Sequence, residues 1–203
     1  MRYTVSTVIK HTKLISMIND CPQDIQKEVK ESIQTLLDET TEYQTTVNLT
    51  NLSSIISGVA LYRVLTAHGT TREEFIDRVY KAMEPGNKEK EEKMNRIAKM
   101  PGAFSILAKL VPAMMTMGNN CGWHTDKTKR TKTEFGFDTT ECLYHTLCKK
   151  YDLMDFGCAF CHNDEAVYST MPGIRMERTG TLCRGADKCD FRFYKEEKRT
   201  IQK

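Results

Sequence analysis

The apolar positions of the first hundred residues recur at helical spacing. Ile25, Val29, Ile33, Leu36 and Leu37 fall on one stripe behind Pro22, which predicts an amphipathic helix starting at that proline. A second helix is expected from about Leu49 to Ala67, where Leu52, Ile55, Ile56, Val59, Tyr62 and Val64 leave few polar positions, and Gly69 supplies its stop. Thr71 to Glu74 has capping-box spacing and opens a third helix to about Met83, which Pro85-Gly86 is expected to close. A charged fourth helix follows from about Lys88. Beyond Pro101-Gly102, the segment Ala103 to Met117 is apolar enough to read as a buried helix.

Near Gly118 the pattern changes. Thr131 to Cys142 alternates, with Phe135 and Phe137 on one side and Glu134, Gly136 and Asp138 on the other, as in a half-buried strand. Tyr144 to Tyr151 and Asp155 to Thr170 read as helices, the latter ended by Pro172-Gly173. Ile174 to Cys183 and Cys189 to Lys195 read as two strands of a hairpin joined around Arg184 to Lys188. Gly122 to Asp126 reads as a loop holding a buried Trp123 indole. The expected fold is α+β in one unit: a helical part over 1–118, then a mixed part over 119–203 with a small antiparallel sheet and helices on one face.

Composition changes this picture little. With 39% hydrophobic and 28% charged residues and 5 prolines, the chain is expected to be globular. The formal charge of +3 comes from bases interleaved with acids, as in NKEKEEKMNR over 87–96, which reads as a solvated helix face rather than a nucleic-acid surface. The most apolar window, about 15 residues long, is too short to span a bilayer. The N-terminus lacks the apolar core of a secretory leader, so a cytoplasmic location without membrane or nucleic-acid partners is expected.

That compartment governs the eight cysteines, which are then expected to be reduced. Cys158-Ala159-Phe160-Cys161-His162 spells the haem-attachment pattern, but attachment occurs outside the cytosol and needs a second axial ligand, so haem is not expected. Helical geometry instead puts Cys161 beside Asp164, a thiol next to a carboxylate.

The ordered set Phe137-x4-Cys142-x-Tyr144, Cys161-x-x-Asp164, and Arg178-Thr179-x-Thr181-x3-Gly185-x3-Cys189-Asp190-Phe191-x-Phe193 resembles the L-2-amino-thiazoline-4-carboxylic acid hydrolase family. The resemblance is best over residues 131 to 195. A more distant likeness is to vinyl-reductase-type small-molecule-binding domains. The family resemblance implies hydrolysis of a small cyclic amidine, in which water adds to the ring carbon between nitrogen and sulfur and the carbon–sulfur bond opens to give N-carbamoyl-L-cysteine.

Such a reaction needs a group that attacks or activates water, a proton donor for the departing thiolate and a cation for the substrate carboxylate. Residue type makes Asp164 the candidate general base, Cys161 the candidate nucleophile, His145 a candidate acid or base, and Arg178 the candidate carboxylate partner. Thr181 and Asp190 are further candidates for substrate contact, although Asp190 reads equally as a surface pair with Arg192. Cys189 reads equally as a core residue or a working thiol.

Two other readings use the same chain. Cys142, Cys161 and Cys189, with His162 or Cys158 as the fourth ligand, could surround a zinc ion. Alternatively, the protein could bind a small molecule without turnover, in a pocket between the Met-rich helix and the sheet.

Overall fold

The computed structural model describes residues 2–128 and 130–196. Two short helices that the sequence pattern did not announce come first. They are α1 (Val5–His11), capped by the Thr4 hydroxyl, and α2 (Ile15–Asn19). Helix α3 (Gln23–Asp38) buries Ile25, Val29, Ile33, Leu36 and Leu37, the stripe expected of it.

Helix α4 (Leu49–Ala67) is buried nearly all round and forms the centre of the helical part. Its Gly58 is where Phe156 of a later helix rests: a Cβ there would lie 2.0 Å from Phe156 Cζ. From that contact an aromatic chain runs through the core. The ring centroids of Phe156 and Phe160 are 5.1 Å apart, and Phe160 stacks on Tyr144 at 4.1 Å.

Helix α5 (Arg72–Ala98) opens with the expected capping box between Thr71 and Glu74. It does not end at Pro85-Gly86; the third and fourth helices expected from the sequence are one helix of 27 residues. An internal proline costs about 3 kcal/mol by removing a hydrogen bond and crowding the preceding turn. Here the proline and glycine lie on the exposed side, where water can reach the freed carbonyl. Tethers to a later helix and to the turn just after it hold both halves in line: Arg72 to Asp155 at 2.7 Å, Asn87 to Asn163 at 2.6 Å and Glu91 to Thr170 at 2.9 Å.

Helix α6 (Ala103–Met115) starts after Gly102, which adopts a φ of +75°. It is only half-buried, contrary to the buried helix expected. Phe104, Leu107 and Ala108 face inward, whereas Ile106, Leu110 and Met114 face outward, as does Met117 just beyond.

The mixed part contains β1 (His124–Lys127), β2 (Glu134–Glu141), α7 (Leu143–Lys150), α8 (Met154–Tyr168), β3 (Ile174–Glu177) and β4 (Cys189–Lys195). The strands form one antiparallel sheet in the order β1-β2-β4-β3. Register pairs Phe135 with Phe193 and Phe137 with Phe191, and the rings of the two pairs stack at 4.8 and 4.7 Å. Cross-strand aromatic pairs of this kind hold register and present one apolar face. Helix α6 covers that face and Tyr168 of α8 meets Phe193 edge-on at 6.2 Å, so the fold is α+β with helices on one side, as expected.

Two details differ from the sequence reading. His124–Lys127 is an edge strand rather than loop, since its register against β2 supplies backbone partners that four polar-rich residues could not advertise alone. The strand expected over Ile174 to Cys183 stops at Glu177, because the chain then turns away through the short 3₁₀ turn Leu182–Arg184. The hairpin pairing stands, with a longer connection. Among the described residues, no helix is long and apolar enough to cross a membrane.

Candidate active site

A cavity of about 420 Å³ lies between α5, α8 and the ends of β2 and β4. That volume is within the range of small-molecule sites. Cys161 and Asp164, one turn apart on α8, both border it, together with Arg178, Cys142 and Cys189. Helical spacing alone pairs Cys161 with Asp164, whereas Arg178 joins them because the loop after β3 folds back over α8.

Cys161 is buried, yet its thiol ionises more readily than an ordinary one. The Cys183 thiol acts on it as hydrogen-bond donor, the Thr181 hydroxyl and the Arg178 charge add to this, and together they outweigh burial and the nearby Asp164. Cys183 is the member of the pair that stays protonated, its thiol held by that contact and by burial. Thr181 Oγ1 is buried without a geometrically complete hydrogen bond among the described residues.

The other cavity thiols are shifted the opposite way. Burial pushes Cys142 up to about 12 despite the His145 and Tyr144 backbone amides, and it raises Cys189 despite the 3.3 Å hydrogen bond from the Leu182 N–H.

Arg178 keeps only 3% of its side chain exposed. Its Nη2 donates to the Cys161 main-chain oxygen at 2.9 Å and to Glu165 Oε1 at 2.6 Å, and its guanidinium lies 4.9 Å from the centre of the Phe191 ring. Its Nε is buried with no partner among the described residues. Glu165 is shared with Arg184 at 2.7 Å, which anchors the loop after β3 to α8.

Burial raises the Asp164 carboxyl above the usual carboxylate range, although Lys90, Arg178 and Lys13 all pull it down. Lys90 Nζ stands 3.8 Å from Asp164 Oδ1 and 4.9 Å from the centre of the Tyr168 ring. Burial works against the Lys90 charge, but Tyr168 and Asp164 outweigh it and raise its pKa. Lys13, in the turn between α1 and α2, is lowered by burial and by Lys90. It lies over Phe160 at 5.4 Å and forms no ion pair among the described residues. Three cations thus surround one cavity carboxylate, with Glu165 bound to Arg178 from behind. Glu165 and Asp164 already balance Arg178 and Lys90, which leaves Lys13, without an ion pair among the described residues, as the cation that can meet an anionic ligand.

The chain belongs to the L-2-amino-thiazoline-4-carboxylic acid hydrolase family. The family's sequence pattern matches residues 50–193, which include every cavity residue named above except Lys13. Comparison with curated proteins and with solved structures gives no match.

The sequence candidates separate on this geometry. Cys161, Asp164, Arg178, Cys142 and Cys189 border the hydrolase-family cavity, and Thr181 stands behind Cys161. His145 is outside it. Asp190 is also outside, with its oxygens bound to the Thr179 and Gly180 amides at 2.9 Å and to the Thr179 hydroxyl, so it braces the loop. It does not pair with Arg192, which binds Asp138 at 2.7 Å. Cys158 donates to the Cys183 oxygen at 3.2 Å, and exposed His162 faces Tyr80.

The zinc reading therefore loses its fourth ligand. Among the described residues, no three His, Cys, Asp or Glu side chains are arranged to hold a metal ion.

Lys13, Lys90 and the Asn87–Asn163 pair were not singled out by sequence. A signal for Lys90 exists in the continuation of the α5 stripe: Phe75, Val79 and Met83 are followed at helical spacing by Asn87 and Lys90. Nothing in the sequence marks Lys13. Trp123 is half-buried at the cavity wall, and its Nε1 donates to Asn48 Oδ1 at 2.9 Å.

Proposed function

We propose that this protein hydrolyses a small carboxylated cyclic amidine of the 2-amino-thiazoline-4-carboxylate kind to the ring-opened N-carbamoyl thiol. One observation carries the reading: Cys161, held by Arg178 through its main-chain oxygen, lies one helical turn from Asp164 on the wall of one cavity that Lys13 and Lys90 also line.

In this reading the Cys161 thiolate adds to the ring carbon between nitrogen and sulfur. The ring carbon–sulfur bond breaks, and its electron pair leaves on the substrate sulfur as a thiolate. Asp164 then takes a proton from water, and the hydroxide adds to the same carbon. As the carbonyl forms, the remaining hydroxyl proton passes to the former ring nitrogen and Cys161 departs as thiolate. The proton held by Asp164 goes to the substrate thiolate, so one water is consumed and both side chains return to their starting state. A carboxylate with a raised pKa is the stronger base for this purpose.

Arg178 is already committed to Glu165 and Cys161, which favours a role in holding the nucleophile ionised. The substrate carboxylate is better served by Lys13 and Lys90. The test is release of free thiol from the thiazoline acid by the full chain. The reading expects turnover by the wild type and a loss of at least about a hundredfold in both C161S and D164N. Wild-type turnover in both variants would overturn it.

A further inference from the structure

A second, smaller cavity of about 80 Å³ lies between α6 and the phenylalanine face of the sheet. Its walls are Leu107 and Val111 of α6, Met94 of α5, and Phe135, Phe137 and Phe193 of the sheet. Asp164 is its one ionisable boundary apart from the Tyr168 phenol. It shares Asp164, Tyr168, Met115 and Phe191 with the larger cavity, so the two adjoin beside Asp164.

Protein interiors pack as densely as organic crystals, and a void between side chains loses contacts on every wall. Water gains little there, since a site for it needs two to four polar partners, and this chamber offers almost none. The chamber is nevertheless larger than one water. Lys90 stands over Tyr168 and beside Asp164, the two residues that border both cavities, so a charged head at Lys90 lies next to the chamber's entrance.

We infer that the substrate carries a short apolar substituent, which fills this chamber while its acidic head lies against Lys13 and Lys90. The inference rests on the hydrolase reading of the larger cavity and narrows its substrate class to an acidic cyclic amidine bearing an alkyl or thioether group of about three heavy atoms, by the roughly 30 Å³ that a group of water's size occupies. The polar end selects the acid, and the apolar end selects its homologue.

Two measurements on the full chain test this. Calorimetric binding of straight-chain carboxylic acids from acetate to octanoate reads the chamber without any reaction. Affinity is expected to rise by about fourfold per methylene, the transfer value for burial, over about three methylenes and then level off. V111F and M94F narrow the chamber from two different helices, and each should flatten the rise while leaving acetate binding as in the wild type. A flat series in the wild type, or a rise that both variants preserve, overturns the inference, and the wild-type series decides even if a variant does not fold.

Turnover of the parent thiazoline acid and of its ring-alkylated homologues separates the two claims. Hydrolysis of the parent with no gain from alkylation sinks the chamber and keeps the reaction. A rising acid series with no hydrolysis of any homologue sinks the reaction and keeps the chamber.

Discussion

Arg178 reaches back from the loop after β3 to donate a 2.9 Å hydrogen bond to the main-chain oxygen of Cys161, while its charge lies beside the same residue's thiol. One side chain thus fixes the loop on α8 and favours the ionised sulfur. Because Arg178 is almost fully enclosed, the interaction escapes most of the screening that weakens surface pairs. Glu165 closes the arrangement from the outer side and keeps the buried cation compensated.

The pH profile of hydrolysis follows from the groups that must be deprotonated. In the proposed reaction Cys161 works as thiolate and Asp164 as carboxylate, so kcat/KM should fall on the acid side and level off above both ionisations. Burial raises Asp164 and its neighbours lower Cys161, so the two steps approach one another and belong to the pair. Steady-state rates across pH should show a steep acid limb in the wild type and a shallower one in D164N. A limb on the alkaline side alone would contradict the assignment.

Lys13 and Lys90 are expected to recognise the acid group. K13Q and K90Q should each raise KM about tenfold with a smaller change in kcat, the effect of losing one charge-assisted contact. Added salt should raise the wild-type KM and affect the variants less. Equal losses in kcat and unchanged KM would move these lysines out of substrate binding.

The parts of the fold legible in the sequence were those in which one local period matched one buried face. The α3 stripe and the Phe135–Phe137 alternation are of that kind. Pro85-Gly86 misled because a local breaker was overridden by tethers from Asn87 to α8 and from Glu91 to Thr170 just beyond it, residues distant in sequence. That break also hid Lys90, which sits on the continuing stripe yet looked like one charge among many. Cys161 and Asp164 were readable as a pair because helical spacing alone brings them together. Lys13 was not, since it reaches the cavity only through the packing of α1 on α4.

Gly58 tests the packing that supports the site. G58A places a methyl group against the Phe156 ring, and overpacking of this sort costs about 1–3 kcal/mol. Denaturant unfolding should register that loss. Because Phe156 packs on Phe160 at the cavity wall, turnover should fall as well, while the Cys161 ionisation stays in place. Unchanged stability would mean that α8 can shift freely on α4.

The central claim is that Cys161 is held ready to ionise at the cavity wall. Its most direct test is the pH dependence of iodoacetamide alkylation, followed at each cysteine by peptide mass spectrometry. The account predicts that Cys161 reacts first, with a midpoint below the roughly 8.5 of a free thiol, and that C183A slows its reaction at neutral pH by about tenfold and R178Q by less. Cys142 and Cys189 should stay unreacted over the same range. A Cys161 midpoint at or above that of a free thiol, or a rate indifferent to Cys183, would contradict the account.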